Sequence, residues 1–351
     1  MRGYFILAAA MTCGIFACCS GPAAPTKTEK EGQPLKQALA ERSYRLVWEC
    51  YVNNNWEIFT SRADGSRIHN LTNSPGVHEH DPHPSPDGKF IAYTVDAGEG
   101  RKAIRSLWVM NSDGSDRKQI ADYAREPFWS PDSKRIGYLP QLYPKFSVAE
   151  AYNKGMLFYD VTTGKTEPHP NSDGIRRIYN PSYSRNDKWI AVVKDGEPDG
   201  LMLIAAHGSR FVDLHCIGCR PNLAPDCKHI AWGATDHELC IAPIDLSADN
   251  PVVGKPQLLI RDSENKIYHI HWSPDSSFVA FSRGPNGEGD ISKPGTFQSP
   301  NEIIGVYGAG WNICVVNALK TGVLDLHKVS PCDFLKITSN GASNKQPEWV
   351  K

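Results

Sequence analysis

The chain lacks an excess of charge of either sign. Its 38 Lys and Arg residues stand against 39 Asp and Glu, a formal net charge of −1, and no long basic run occurs. No nucleic-acid partner is expected, because phosphate recognition normally shows as a clustered basic face. The familiar catalytic signatures are missing as well. There is no Gly-x-Ser-x-Gly elbow, no phosphate loop and no His-Glu-x-x-His, so nothing local points to a serine hydrolase, a nucleotidase or a zinc protease. The apolar run from Tyr4 to Met11 falls well short of the roughly 20 residues a spanning helix needs.

What is present is repetition. His80 to Val95, HDPHPSPDGKFIAYTV, reads as a short extended run, a Ser-Pro-Asp-Gly turn and an alternating strand. Asp87 and Gly88 make the turn, the glycine by its positive φ and the aspartate by bonding nearby amides. The same unit returns at Glu126 to Ser133 before Arg135, and at His269 to Ser276 before Phe278. Worn copies run from Asn180 to Asp187 and from Arg220 to Cys227. A period of about forty to fifty residues is that of a propeller blade.

On these residues the chain resembles the six-bladed propellers built from PD40, or WD40-like, repeats, the TolB-like family. Ser106 to Gly114 (SLWVMNSDG) and Trp56 to Gly65, followed by Leu71-Thr72, match the second half of that repeat. The resemblance spans about residues 44 to 351. It implies an all-β fold of six four-stranded antiparallel blades and a non-catalytic role in capturing a protein or peptide. Three strand patterns after Arg45 have no innermost strand before them, whereas Gln346-Pro347-Glu348-Trp349-Val350 carries the Pro-x-Trp signature at the other end. The C-terminal strand is therefore expected to close the first blade, which removes a free sheet edge.

Residues 1–18 read as a signal peptide of lipoprotein type. Ala17 before Cys18 resembles a lipobox, with Cys18 the lipidated residue; ordinary cleavage near Ala17 or Ala24 is the alternative. Residues 19–43, rich in Pro, Ala, Lys and Glu, read as a flexible tether, with a helical turn or two around Leu35 to Arg42. The expected location is outside the cytoplasm, as an outer-membrane lipoprotein or a periplasmic protein. Contact with membrane would then be through the lipid anchor only.

Aligning the repeats places one polar residue per blade at the position just before the repeat's proline, which is Ile270 in the last copy: Gln346, Asp81, Glu126, Asn180, Arg220 and His269. They either line a hydrated channel mouth or form a ring that binds a peptide end or small ligand. His80, Asp81, His83, His269 and His271 together suggest a second use, since imidazole with carboxylate suits a divalent metal. Residues two apart on a strand share a face, so His269 and His271 are expected to point together. On that reading the chain is a metal-dependent, polysaccharide lyase-like enzyme acting on glycan; on the first, no cofactor is expected.

Beyond Cys13, Cys18 and Cys19, in or beside the leader, seven cysteines remain, and export favours disulfides. A local disulfide among Cys216, Cys219 and Cys240 is expected, with at least one thiol left over. Two insertions, Leu139 to Gly155 and Gly284 to Gly310, fall between second and third strands and so belong to one face. Long loops of this kind are often functional.

Overall fold

The computed structural model describes residues 34–98, 104–140, 155–196, 199–293 and 299–351. The signal peptide with Cys18, most of the tether and the greater part of the Leu139 to Gly155 insertion lie outside the described residues.

Six sheets are formed among the described residues, each with a core of four antiparallel strands. Blade 1 combines Ser343–Val350 with Arg45–Val52, Asn55–Arg62 and His69–Asn70. The closure expected from the sequence is therefore present: Trp349 pairs with Leu46 and Glu348 with Val47. Blade 2 runs from His78–Pro84 to Lys118–Asp122, blade 3 from Ala124–Trp129 to Thr166–Pro168, and blade 4 from Ile178–Tyr183 to Phe211–Ile217. Blade 5 starts at Cys219–Leu223 and ends at Gln257–Arg261; blade 6 starts at Asn265–Trp272 and ends at Phe334–Lys336. One difference from four strands per blade is found. Leu324–Asp325, on the way to the last strand of blade 6, adds a short parallel fifth strand to the edge of blade 5.

The core is six cores. Each buried apolar cluster joins one blade to the next, from Val47 and Ile58 against Ile91 and Tyr93, round to Phe278 and Val315 against Leu46 and Trp48. Strand alternation explains this, because a blade buries both faces and each face meets a different neighbour. The inner-strand tryptophans reinforce the joints. The indole N–H of Trp129 donates to the His83 carbonyl at 2.8 Å, that of Trp272 to Asn222 at 3.1 Å and that of Trp349 to His271 at 3.0 Å, each reaching the preceding blade.

The Ser-Pro-Asp turns cap themselves. Ser85 Oγ donates to Asp87 at 2.7 Å and accepts from the Phe90 N–H at 2.9 Å; Ser130, Ser184 and Ser273 repeat the pattern with Asp132, Asn186 and Asp275. Cys227 takes the left-handed turn position that Gly88 fills in blade 2, with φ of 58°.

The end of the tether is fixed in place. A short helix, Leu35–Ala40, buries Leu35 and Leu39 in the cluster between blades 6 and 1, and the Leu35 N–H donates to Pro331. Two leucines four apart share one helix face, which gives this segment an apolar stripe that the rest of the tether does not have.

Candidate functional site

All six residues of the expected polar ring adopt left-handed backbone conformations. The φ angles are 52° at Asp81, 49° at Glu126, 49° at Asn180, 53° at Arg220, 55° at His269 and 55° at Gln346. Each lies in a β-bulge, where three steps of the inner strand face two of its partner, as between His80 and His83 opposite Thr94 and Ala92. A non-glycine residue in this region costs about 1–2 kcal/mol. The bulge re-aims the side chain. Here it brings all six to one axial throat of about 40 Å³, which Ile304 also lines.

The throat opens on one face into a funnel of about 520 Å³ and on the other into a mouth of about 140 Å³ lined by His83, His271, Glu348 and the inner-strand aromatics. The funnel wall carries Tyr179, Arg220, Tyr268, Ile217 and Glu302, among others. Its acids are engaged. Asp195 accepts from Arg177 Nε at 2.8 Å, Asp199 from the Tyr179 hydroxyl, and Asp236 from the Tyr268 hydroxyl at 2.6 Å. Lys266 lies 3.0 Å from Asp236 and 3.1 Å from Glu302, and Arg125 is 2.5 Å from Glu126.

The Gly284 to Gly310 insertion reaches the axis. Lys345, fully buried on the closing strand, donates to the carbonyls of Asn301, Ile303 and Val306 at 3.3, 2.5 and 2.9 Å and lies 3.6 Å from Glu49. Burial lowers its pKa to about 8. Gly305, with φ of 75°, sits so close to Arg105 and His80 that a Cβ would stand 3.2 and 3.3 Å from them. Beneath it, Arg105 forms a bidentate pair with Asp96 at 2.7 Å, and His80 lies 3.4 Å from Asp96 and 3.7 Å from Glu49. Burial opposes the charge on Asp96, but Arg105 and His80 hold its carboxyl far below the usual range. This network was not legible in the sequence; its members come from three separate blades.

The five residues read as possible metal ligands are divided among different surroundings. His80 belongs to the Glu49–Asp96 network. His83 is bonded to Asp81 at 3.0 Å and Glu348 at 2.8 Å, and His271 to Glu348 at 2.9 Å. His269 is buried beside Trp311, with ring centroids 6.3 Å apart, and burial, then Arg220, Lys345 and His271, push its pKa well down. The bulge interrupts the two-residue alternation on which convergence of His269 and His271 rested. Among the described residues, no group of three or more His, Cys, Asp or Glu side chains is arranged to hold a metal ion.

The expected local disulfide is absent. Cys216, Cys219 and Cys240 are free thiols. Cys216 lies on the last strand of blade 4, with Sγ 3.4 Å from the Leu214 carbonyl, Cys219 on the first strand of blade 5 and Cys240 on the third. Nearness of blades 4 and 5 therefore gathers them without bonding them. Cys219 lines the funnel, and burial pushes its thiol up to about 11.

No family model matches the chain. It is 31% identical over 214 residues to dipeptidyl-peptidase 5 of Porphyromonas endodontalis, a match covering 58% of this chain and 27% of that protein. A shorter match, 45% over 62 residues, is to dipeptidyl-peptidase 5 of Porphyromonas gingivalis and covers 16% of this chain and 9% of that protein. The chain thus spans about a quarter or less of these relatives. Among solved structures, TolB from Acinetobacter baumannii superposes with a TM-score of 0.59 at 15% identity, over 88% of this chain and 67% of that one. Kuenenia stuttgartiensis hydrazine synthase gives 0.54 at 12%, over 88% and 46%. These likenesses show the fold, a TolB-like six-bladed propeller.

Proposed function

We propose that the protein is a non-catalytic propeller that captures a protein or peptide partner in its axial funnel. One observation carries this reading. Six strained, inward-turned polar residues converge on a throat beneath a 520 Å³ funnel, and such strain persists where the surrounding structure imposes it, commonly at binding sites. Asp81 Oδ2 and Gln346 Nε2 are buried there without a hydrogen-bond partner in the protein, which suits a polar occupant. The relatives' peptidase name and the peptide reading agree in substrate class. The function proposed for the described propeller is the binding of such a peptide. Export, with a lipid on Cys18 holding the domain at the envelope, fits the N-terminal pattern; no helix among the described residues is long and apolar enough to cross a membrane.

The test is capture from the envelope fraction of the source cells. Arg220→Ala and Ile217→Asp, both on the funnel, should weaken recovery of the same partner. Val252→Asp, on an exposed loop of blade 5 at 75% exposure, should not. Equal recovery by all three variants and the wild type would remove the funnel from the function.

A further inference from the structure

Of the three arginines that line the funnel, Arg105, Arg125 and Arg220, one is not spent on a carboxylate. Asp195, Asp199, Asp236, Glu302 and Glu126 each have a partner. Arg105 is taken by Asp96 and Arg125 by Glu126. Arg220 has neither an ion-pair nor a hydrogen-bond partner among the described residues; its guanidinium lies 5.3 Å from the centre of the Tyr268 ring. It is half-buried at the funnel floor, where its charge reaches Asp81 and His269.

Its position is built. Gly218, with φ of 138°, passes so close to the Gly233 carbonyl that a Cβ would stand 2.2 Å from it. Two residues later the bulge turns Arg220 into the left-handed region. Glycine at 218 allows the close approach at no steric cost, and the bulge then directs the Arg220 side chain to the funnel.

We propose that Arg220 receives a carboxylate, and that it is the C-terminal carboxylate of a peptide ending in an apolar residue. This deepens the reading of the funnel as a peptide site and rests on it. A guanidinium fork matches a carboxylate in two parallel hydrogen bonds. Part of the wall is apolar, formed by Ile217, Ile303 and Ile304 with Tyr179 and Tyr268. An apolar terminal side chain fits that wall, whereas the hydroxyl-covered face of a uronate would leave its polar groups unpaired against isoleucine. Asp199, Asp236 and Glu302 of the same wall are engaged by Tyr179, Tyr268 and Lys266.

The experiment uses the full chain and N-acetylated tripeptides ending in leucine, isoleucine, valine or phenylalanine. Each is made as the free acid and as the C-terminal amide, and binding is measured by calorimetry. The wild type should bind at least one acid about 10- to 100-fold more tightly than its amide, the range of a lost charge-assisted pair. Arg220→Gln should bring the acid down to the level of the amide and leave the amide unchanged. That variant should fold, since Gln346 holds the same left-handed position elsewhere in the ring, and its melting temperature checks this. Equal affinity for acid and amide overturns the carboxylate anchor while the peptide site stands. A preference kept by Arg220→Gln overturns the role of that residue. Trigalacturonate binding in place of every peptide would move the site to acidic glycan, and no binding of any peptide would remove the peptide reading and the anchor together.

Discussion

Glu348→Gln is the substitution whose outcome the axial geometry specifies most closely. Glu348 lies between His83 at 2.8 Å and His271 at 2.9 Å, and His83 also meets Asp81. Burial would push the His83 ring toward neutrality, but Asp81 and Glu348 override it and raise its pKa to about 10. Burial likewise works against the Glu348 charge, and the two histidines lower its pKa to about 2. The rise from 6.5 to about 10 corresponds to roughly 5 kcal/mol in favour of the charged ring. Two carboxylates share that preference, so removing one charge should cost about 2–3 kcal/mol near pH 6.5.

The sign follows from proton counts. Above pH 6.5 the folded state holds the His83 proton that the unfolded chain has lost, so stability from this pair falls as pH rises toward 10. On the acid side the folded Glu348 is unprotonated where the unfolded one is not, so stability falls from about pH 4.5 toward 2. The gap in urea stability between wild type and Glu348→Gln should therefore be widest between pH 4.5 and 6.5 and should close by pH 10. Measuring the difference cancels groups common to both proteins, including Lys345. A gap that stays constant from pH 6.5 to 10, or no gap at pH 6.5, would refute the assignment of the imidazolium to this pair.

Lys345→Met should be severe. It leaves Glu49 and three buried carbonyls without their cation, a loss of about 3–5 kcal/mol, and hydrogen exchange at Ile303 and Val306 should quicken before the blades themselves open. Gly137→Ala should cost about 1–3 kcal/mol by overpacking, because a Cβ there would stand 2.2 Å from the Phe128 ring; thermal melting measures it, and an unchanged melting temperature would contradict the packing. Maleimide labelling of the folded protein should reach Cys216 and Cys240 but spare Cys50 and Cys314, whose burial pushes their thiols up to about 12. Modification of all four at similar rates would contradict the burial of the last two.

The repeat made the ring legible, and the residue at one fixed position of each copy, before a proline in five of the six, lines the axial throat. Position relative to a turn is local information, and a bulge repeated six times leaves a trace six times. The buried charge network left none. Lys345, Glu49 and His80 meet only after the C-terminal strand has joined blade 1, which brings positions nearly 300 residues apart into one sheet. The expectation that His269 and His271 point together rested on strand alternation, which the bulge that defines the ring interrupts; both line the throat. The two-residue strand at Leu324–Asp325 is too short to carry a period.

The funnel is the proposed binding face. Hydrogen exchange of the full chain, with and without the tightest-binding C-terminal acid peptide, tests this directly. Protection is expected at Ile217 to Arg220, at Tyr268 and along Asn301 to Val306, three segments from blades 4, 5 and 6 that meet only at the funnel. Protection confined to the opposite mouth, around Tyr183, Trp272 and Glu348, or to the outer blade edges, would contradict it.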